Sequence, residues 1–202
     1  MRWWRAATAC ALALLGCVCA VAQARAAVSS QAPTSAIVYR AFTARGGVRP
    51  HTRSRSGHCP SGSEATPRRD AWRCFSGNLV LDPCFSSAHD RGVVVCPEAP
   101  WLTDGIEIHL TKPLVAADGN HAAPSSSLQP WALELSSGLR CRFAEGATNV
   151  VEGRRLDYFC GSAGNQALWG LPDRASTPWT IPIAPSQAST VSERAAIRRA
   201  WM

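Results

Sequence analysis

Three times this chain places an alternating apolar stretch directly after a Pro-Trp dipeptide, at 100–101, 130–131 and 178–179. The stretches are WLTDGIEIHLT, with Ile106, Ile108 and Leu110 in phase, WALELSS, with Trp131, Leu133 and Leu135, and WTIPI, with Trp179, Ile181 and Ile183. A period of two puts such residues on one face of a strand. Proline is tolerated where a strand begins, and tryptophan covers the end of a core. The spacing of the three dipeptides is uneven, so this is recurring local chemistry and not a repeat. The same period runs through Leu139, Cys141 and Phe143 and through Leu156, Tyr158 and Cys160. NVVEGRRLDYFC reads as a hairpin turning at Glu152-Gly153. Further strands are expected at 36–42 (AIVYRAF), in a pair around Ser76-Gly77-Asn78 that Asp82-Pro83 ends, and at Val93 to Cys96. ARGGVRPHTRSRSG before Cys59 reads as a mobile basic loop, and 115–129 as a second loop. SERAAIRRAW is either the single helical stretch or a closing strand through Ile197 and Trp201. The pattern predicts a mainly β fold of roughly seven to nine short strands: a small antiparallel sheet, sandwich or barrel-like domain.

The first 24 residues stand apart. Arg2 and Arg5 precede an uninterrupted small and apolar stretch from Ala6 to Ala22, and Ala22-Gln23-Ala24 forms an A-x-A site. This is a signal peptide, with cleavage expected after Ala24 or after Ala26. Leu14-Leu15-Gly16-Cys17 offers an alternative, a lipobox in which Cys17 is lipidated and becomes the new N-terminus. Either route exports the chain, to the periplasm or beyond, or to the membrane through a lipid on Cys17. The organisation expected is a signal peptide at 1–24, an Arg-rich arm at 25–58 with a strand at 36–42, and a disulfide-bonded β domain at 59–202.

Cysteine usage agrees with export. Of nine cysteines, three lie in the leader, leaving Cys59, Cys74, Cys84, Cys96, Cys141 and Cys160. An even number in an exported chain reads as three disulfides. Six cysteines allow many pairings; local geometry favours the sequential one, 59–74, 84–96 and 141–160, because each pair brackets a short loop or shares a strand phase. Each bridge closes a loop of roughly 10 to 20 residues and adds on the order of 3 kcal/mol.

The formal net charge is +7, but it is unevenly placed. Residues 25–58 hold Arg25, Arg40, Arg45, Arg49, Arg53 and Arg55 and no acid, while 59–202 is near neutral. The basic character therefore belongs to the arm, which is either a solvated linker or a peripheral contact for acidic lipid or wall polymer. Export and a neutral domain exclude a nucleic-acid partner.

Cys59, DAWRCFSGN (70–78), DPCF (82–85), VVCP (94–97), LTKPL (110–114), PWALELSSG (130–138), Cys141 and DYFC (157–160) form an ordered set. In that order they resemble an uncharacterised extracytoplasmic disulfide-bonded domain of actinobacterial-type secreted or membrane-anchored proteins. The resemblance implies an exported, disulfide-bonded domain and supplies no catalytic residue.

Catalytic signatures are not found. There is no G-x-S-x-G elbow, no C-x-x-C, and no Cys/His spacing suited to zinc. Asp104, Glu107 and His109 invite an acid/base or metal reading, yet polar neighbours on a solvated strand face are ordinary in an antiparallel sheet. His89-Asp90 reads as a turn. Two acids across a cleft would be needed for glycosidase chemistry, and scattered acids in a sequence do not place them. Of the tryptophans beyond the leader, Trp169 in ALWGLPD is the expected exposed platform for ligand contact. No cofactor is implied. A binding or interaction module for a cell-wall glycan or envelope protein is the expected role; an envelope hydrolase with a site assembled from distant residues, and a purely structural secreted module, are the alternatives.

Overall fold

In the computed structural model, which describes residues 31–114, 128–191 and 193–202, every regular element is a strand. Two closed sheets account for nearly all of them, and residues Gln31–Met202 form one compact unit.

The first barrel holds β2 (His51–Gly62), β3 (Ala71–Ser76), β4 (Leu79–Ser86), β5 (Val93–Pro97) and β6 (Asp104–Leu110). Successive strands are antiparallel, and β2 closes the ring by lying parallel to β6, from His51 opposite Asp104 to Gly57 opposite Leu110. A five-stranded barrel has little interior. Two disulfides, Cys59–Cys74 and Cys84–Cys96, fill much of it, packed with Trp72, Val94 and Ile108. The sulfurs of Cys74, Cys84 and Cys96 lie within 4.8 Å of one another. Covalent bonds here do what a small apolar core cannot do alone. Gly57 is required by a close approach: a Cβ there would collide with the carbonyl of Phe75 on β3.

The second sheet holds β7 (Ala132–Leu135), β8 (Arg140–Phe143), β10 (Arg154–Cys160), β11 (Gln166–Trp169), β12 (Thr180–Pro185) and β13 (Glu193–Trp201), with β9 (Val150–Val151) paired to β10. Pairing of β13 with β7 closes these into a six-stranded ring. Its interior is Leu133, Leu135, Tyr158, Leu168, Ile181 and Ile197 around the third disulfide, Cys141–Cys160, whose two residues are direct cross-strand partners. The Tyr158 hydroxyl, fully buried, donates to the carbonyl of Pro130 at 2.6 Å; burial pushes its pKa well above the usual range. β1 (Ser35–Ile37) lies parallel to the end of β13.

A third apolar cluster joins the two barrels. Phe85 and Val95 from the first meet Trp131, Ala132 and Trp201 from the second, and Tyr39 packs on both Phe85 and Trp131 with ring centroids 5.4 Å apart. This is why all of Ala132 to Leu135 is buried: one face of β7 looks into its own barrel, the other towards its neighbour or under arginine side chains.

The β fold and the sequential disulfides are as expected, and the Glu152-Gly153 turn has both residues at positive φ, 51° and 73°, as a tight hairpin requires. Several other expectations change. The basic segment before Cys59 is not a mobile loop: His51 to Gly62 is the longest strand, selected by its backbone ladder to β6 and not by burial of its side chains. The domain therefore starts near residue 31, not 59. The strand expected at 36–42 is only Ser35–Ile37, since its partner strand stops at Trp201; the Arg68 guanidinium then takes the carbonyls of Tyr39 and Met202 at 2.7 and 2.9 Å. Asp82-Pro83 does not end β4. It sits where the β3 register shifts, so no ladder bond is asked of Pro83. The stretch expected as helix or closing strand is a strand over Glu193–Trp201, because β13 is shared by β12 and β7. The expected loop at 115–129 falls mostly outside the described residues, as do the signal peptide and Cys17.

Candidate functional site

The barrels leave a cleft of about 760 Å³ between them. One wall comes from the Arg-rich segment. His51, Arg53 and Arg55 occupy alternate positions of β2, so all three project from one face. Asp104 and Ile106 stand beside them on β6, in register with His51 and Arg53. The side chains of Arg53 and Arg55 are exposed and have no ion-pair or hydrogen-bond partner among the described residues.

The second barrel supplies the other wall: Arg142 and Phe143 of β8, Glu145 just after it, Phe159 of β10 and the small-residue turn Gly161 to Gly164. Arg142 Nη1 donates across the cleft to the Glu98 carbonyl at 2.7 Å and ties the walls together. Phe159 is 42% exposed, a large apolar face open to solvent at this position. Trp131 closes the apolar side, and its indole N–H has no acceptor among the described residues.

Two acids meet on the cleft wall. Asp82 is only 6% exposed. Its Oδ1 accepts from the Ser63 hydroxyl, its Oδ2 accepts from the Glu64 N–H at 2.8 Å, and its own N–H donates to Glu145 Oε1 at 3.2 Å. Burial raises the Asp82 pKa to about 6 against the opposing pull of these hydrogen bonds and of Arg73. Glu145 is exposed as a residue, but burial of its carboxyl end, with the Asp82 charge adding to it, raises its pKa to about 7, opposed by the Asp82 N–H, Arg142 and Arg73. Near neutrality the pair carries fewer than two negative charges and can take up or release a proton.

The residues singled out from sequence fall elsewhere. Trp169 is not a surface platform: it is 0% exposed, packed with Ala144, Val151, Leu156 and Ala167 at the end of the second barrel. The reason is phase. Its strand places Ala167 and Trp169 on one face, where Leu156 of β10, Val151 of β9 and Ala144 pack with them. Asp104 reaches the cleft rim, whereas Glu107 and His109 pair with each other at 3.2 Å on an outer face of β6. His89 and Asp90 sit in a turn held by the Ser87 hydroxyl. The sulfurs of Cys74, Cys84 and Cys96 are bonded in disulfides and offer no thiolate to a metal. Asp82 and Glu145, which sequence reading did not select, are 63 positions apart, and only the DPCF motif hinted at the first.

Comparison with protein-family models, with curated proteins and with solved structures finds no match for this chain. Three disulfides within 172 residues of compact fold are typical of extracellular or exported proteins.

Proposed function

We propose that this chain is an exported module of the bacterial cell envelope that binds a glycan in the cleft between its barrels. The observation that carries the reading is the lining of that cleft. Guanidinium donors (Arg53, Arg55, Arg142), carboxylate acceptors (Glu98, Asp104) and aromatic faces (Phe143, Phe159) share one open surface. A ring of hydroxyls with an apolar underside calls for this mixture, whereas an apolar ligand would want a closed, greasy pocket. The leader and the disulfides support an extracytoplasmic address, and the resemblance to secreted bacterial domains points the same way.

A second reading rests on one specific feature, the Asp82–Glu145 pair. Glu145, with a pKa near 7, has the protonation state of a general acid, and an envelope hydrolase would use such a group. Against this, Asp82 is occupied by three hydrogen bonds below the surface and is better placed to hold Glu145 than to react.

The test is calorimetric titration of the mature chain with wall-derived and soluble oligosaccharides, run beside an assay for newly formed reducing ends. Saturable binding weakened by Arg53→Gln and by Phe159→Ala, with no new reducing ends, is the expected result. Both side chains are exposed, so neither change threatens the fold. Turnover abolished by Glu145→Gln would replace the binding reading with the hydrolase. Equal behaviour of wild type and both cleft variants would remove the cleft from either role.

A further inference from the structure

The outer face of the second barrel carries a charge cluster that the cleft does not use. Glu134 of β7 is 1% exposed, and three guanidinium groups close on its carboxylate. Arg199 Nη1 donates to Oε2 at 3.3 Å, Arg140 Nε lies 3.5 Å from the same oxygen, and Arg198 Nη2 pairs with Oε1. Register builds the row: Glu134 stands opposite Arg199 on β13 and opposite Arg140 on β8. Arg198 joins them at a bulge, where the β7–β13 register shifts between Ile197 and Arg199. A regular strand would send two successive side chains to opposite faces; the bulge aims both at one carboxylate.

One carboxylate does not neutralise three cations. Each guanidinium has five N–H donors, and Glu134 occupies a single nitrogen of each. The remaining donors have no hydrogen-bond acceptor among the described residues, although the Arg140 guanidinium lies over the Trp101 ring at 5.4 Å, and the side chains of Arg140, Arg198 and Arg199 are 46%, 53% and 44% exposed. Glu134 holds the arginines together while leaving their outward edges open, with positive charge in surplus. The row continues towards the cleft. Arg140 and Arg142 share the outward face of β8, about 7 Å apart along the strand, and Arg142 lines the cleft.

We propose that the Glu134-centred arginines form a second subsite for the cleft's ligand, and that this ligand is an acidic glycan bearing carboxylates along its length. The inference rests on the cleft reading and narrows it from a glycan to a charged polymer that runs from the cleft past Arg142 to Arg140, Arg198 and Arg199. The planar fork of a guanidinium matches a carboxylate in two parallel hydrogen bonds. Occupying two linked subsites raises affinity without any new kind of contact.

The test uses the full mature chain titrated with a galacturonate trimer, a galacturonate dodecamer, and uncharged malto-oligosaccharides of the same lengths. Arg198→Gln is the informative variant, because Arg140 and Arg199 still pair Glu134 through Oε2 and the glutamine amide can donate to Oε1, with circular dichroism and thermal unfolding checking that the fold is kept. The dodecamer is expected to bind about tenfold more tightly than the trimer, and the gain should shrink as salt rises. Arg198→Gln should weaken the dodecamer at least threefold more than the trimer, and Arg198→Lys should recover part of the loss. Equal affinity for dodecamer and trimer, or an equal effect of Arg198→Gln on both, overturns the second subsite. Uncharged oligosaccharides binding as well as galacturonates leave the cleft reading standing and overturn this one. Failure of every oligosaccharide to bind removes both.

Discussion

Asp82→Asn should flatten an unusual pH dependence of stability. In the folded chain the Asp82 carboxyl is buried and its pKa is raised from 3.8 to about 6. A folded pKa above the unfolded value means that the native state holds the proton more tightly. Stability is therefore greatest when Asp82 is protonated and falls as pH rises from the unfolded pKa through the folded one. Hundredfold weaker ionisation corresponds to a full cost on the order of 3 kcal/mol, reached above pH 7. Between pH 5 and 7.5 the part of this lost is on the order of 1 to 2 kcal/mol, or roughly 3 to 6 °C in Tm for a domain of this size. Glu145 acts in the same direction. An asparagine keeps the geometry: its Oδ1 can accept from the Glu64 N–H, and its amide can donate to the Ser63 hydroxyl. The assay is thermal unfolding by circular dichroism at intervals from pH 5 to 7.5, disulfides intact, for wild type and Asp82→Asn. A wild-type Tm that is flat or rises with pH over this range, or a variant with an unchanged slope, would refute the reasoning.

Other expectations follow from the same contacts. Replacing Cys141 and Cys160 together by serine opens the bridge across β8 and β10 and should cost about 3 kcal/mol, read as a lower denaturant midpoint against the parent. Gly57→Ala forces a methyl group against the Phe75 carbonyl where β2 closes the first barrel; a loss of about 2 kcal/mol or more is expected, measured by chemical unfolding with Gly77→Ala as the comparison for positive-φ strain in open space. Intact mass of the envelope-derived protein should give a start at Arg25 or Ala27 and six thiols only after reduction, whereas a diacylglyceryl adduct on Cys17 would make it a lipoprotein.

The alternation in DGIEIHL, WALEL and TIPI was enough to read these segments as strands, because period two is a local property of the chain. Cysteine phase carried the pairing as well: Cys141 and Cys160 share a face with their apolar neighbours and prove to be cross-strand partners. His51 to Gly57 was illegible for the opposite reason. Its residues are polar or glycine, and what makes it a strand is the backbone of β6, dozens of residues away. Trp169 misled because its phase is visible in four residues but its cover is not: Ala144, Val151 of β9 and Leu156 of β10 pack on that face. The cleft left the faintest trace of all. Arg53 and Arg55 come from the segment before Cys59 and Arg142 from β8, its carboxyls lie at positions 82, 98, 104 and 145, and its aromatic faces come from β8 and β10.

What the sequence determined by itself is what local chemistry dictates: strands in place of helices, and three short-range disulfides. The tertiary structure decided everything that depends on two distant segments meeting. It closed two rings in place of one sheet and turned an apparent basic arm into a cleft wall. It set Asp82 against Glu145, and through a single bulge it turned Arg198 and Arg199 onto one buried carboxylate. The physical reason is that side-chain alternation is written along the chain, whereas ring closure and charge convergence depend on register between strands, which no single segment contains.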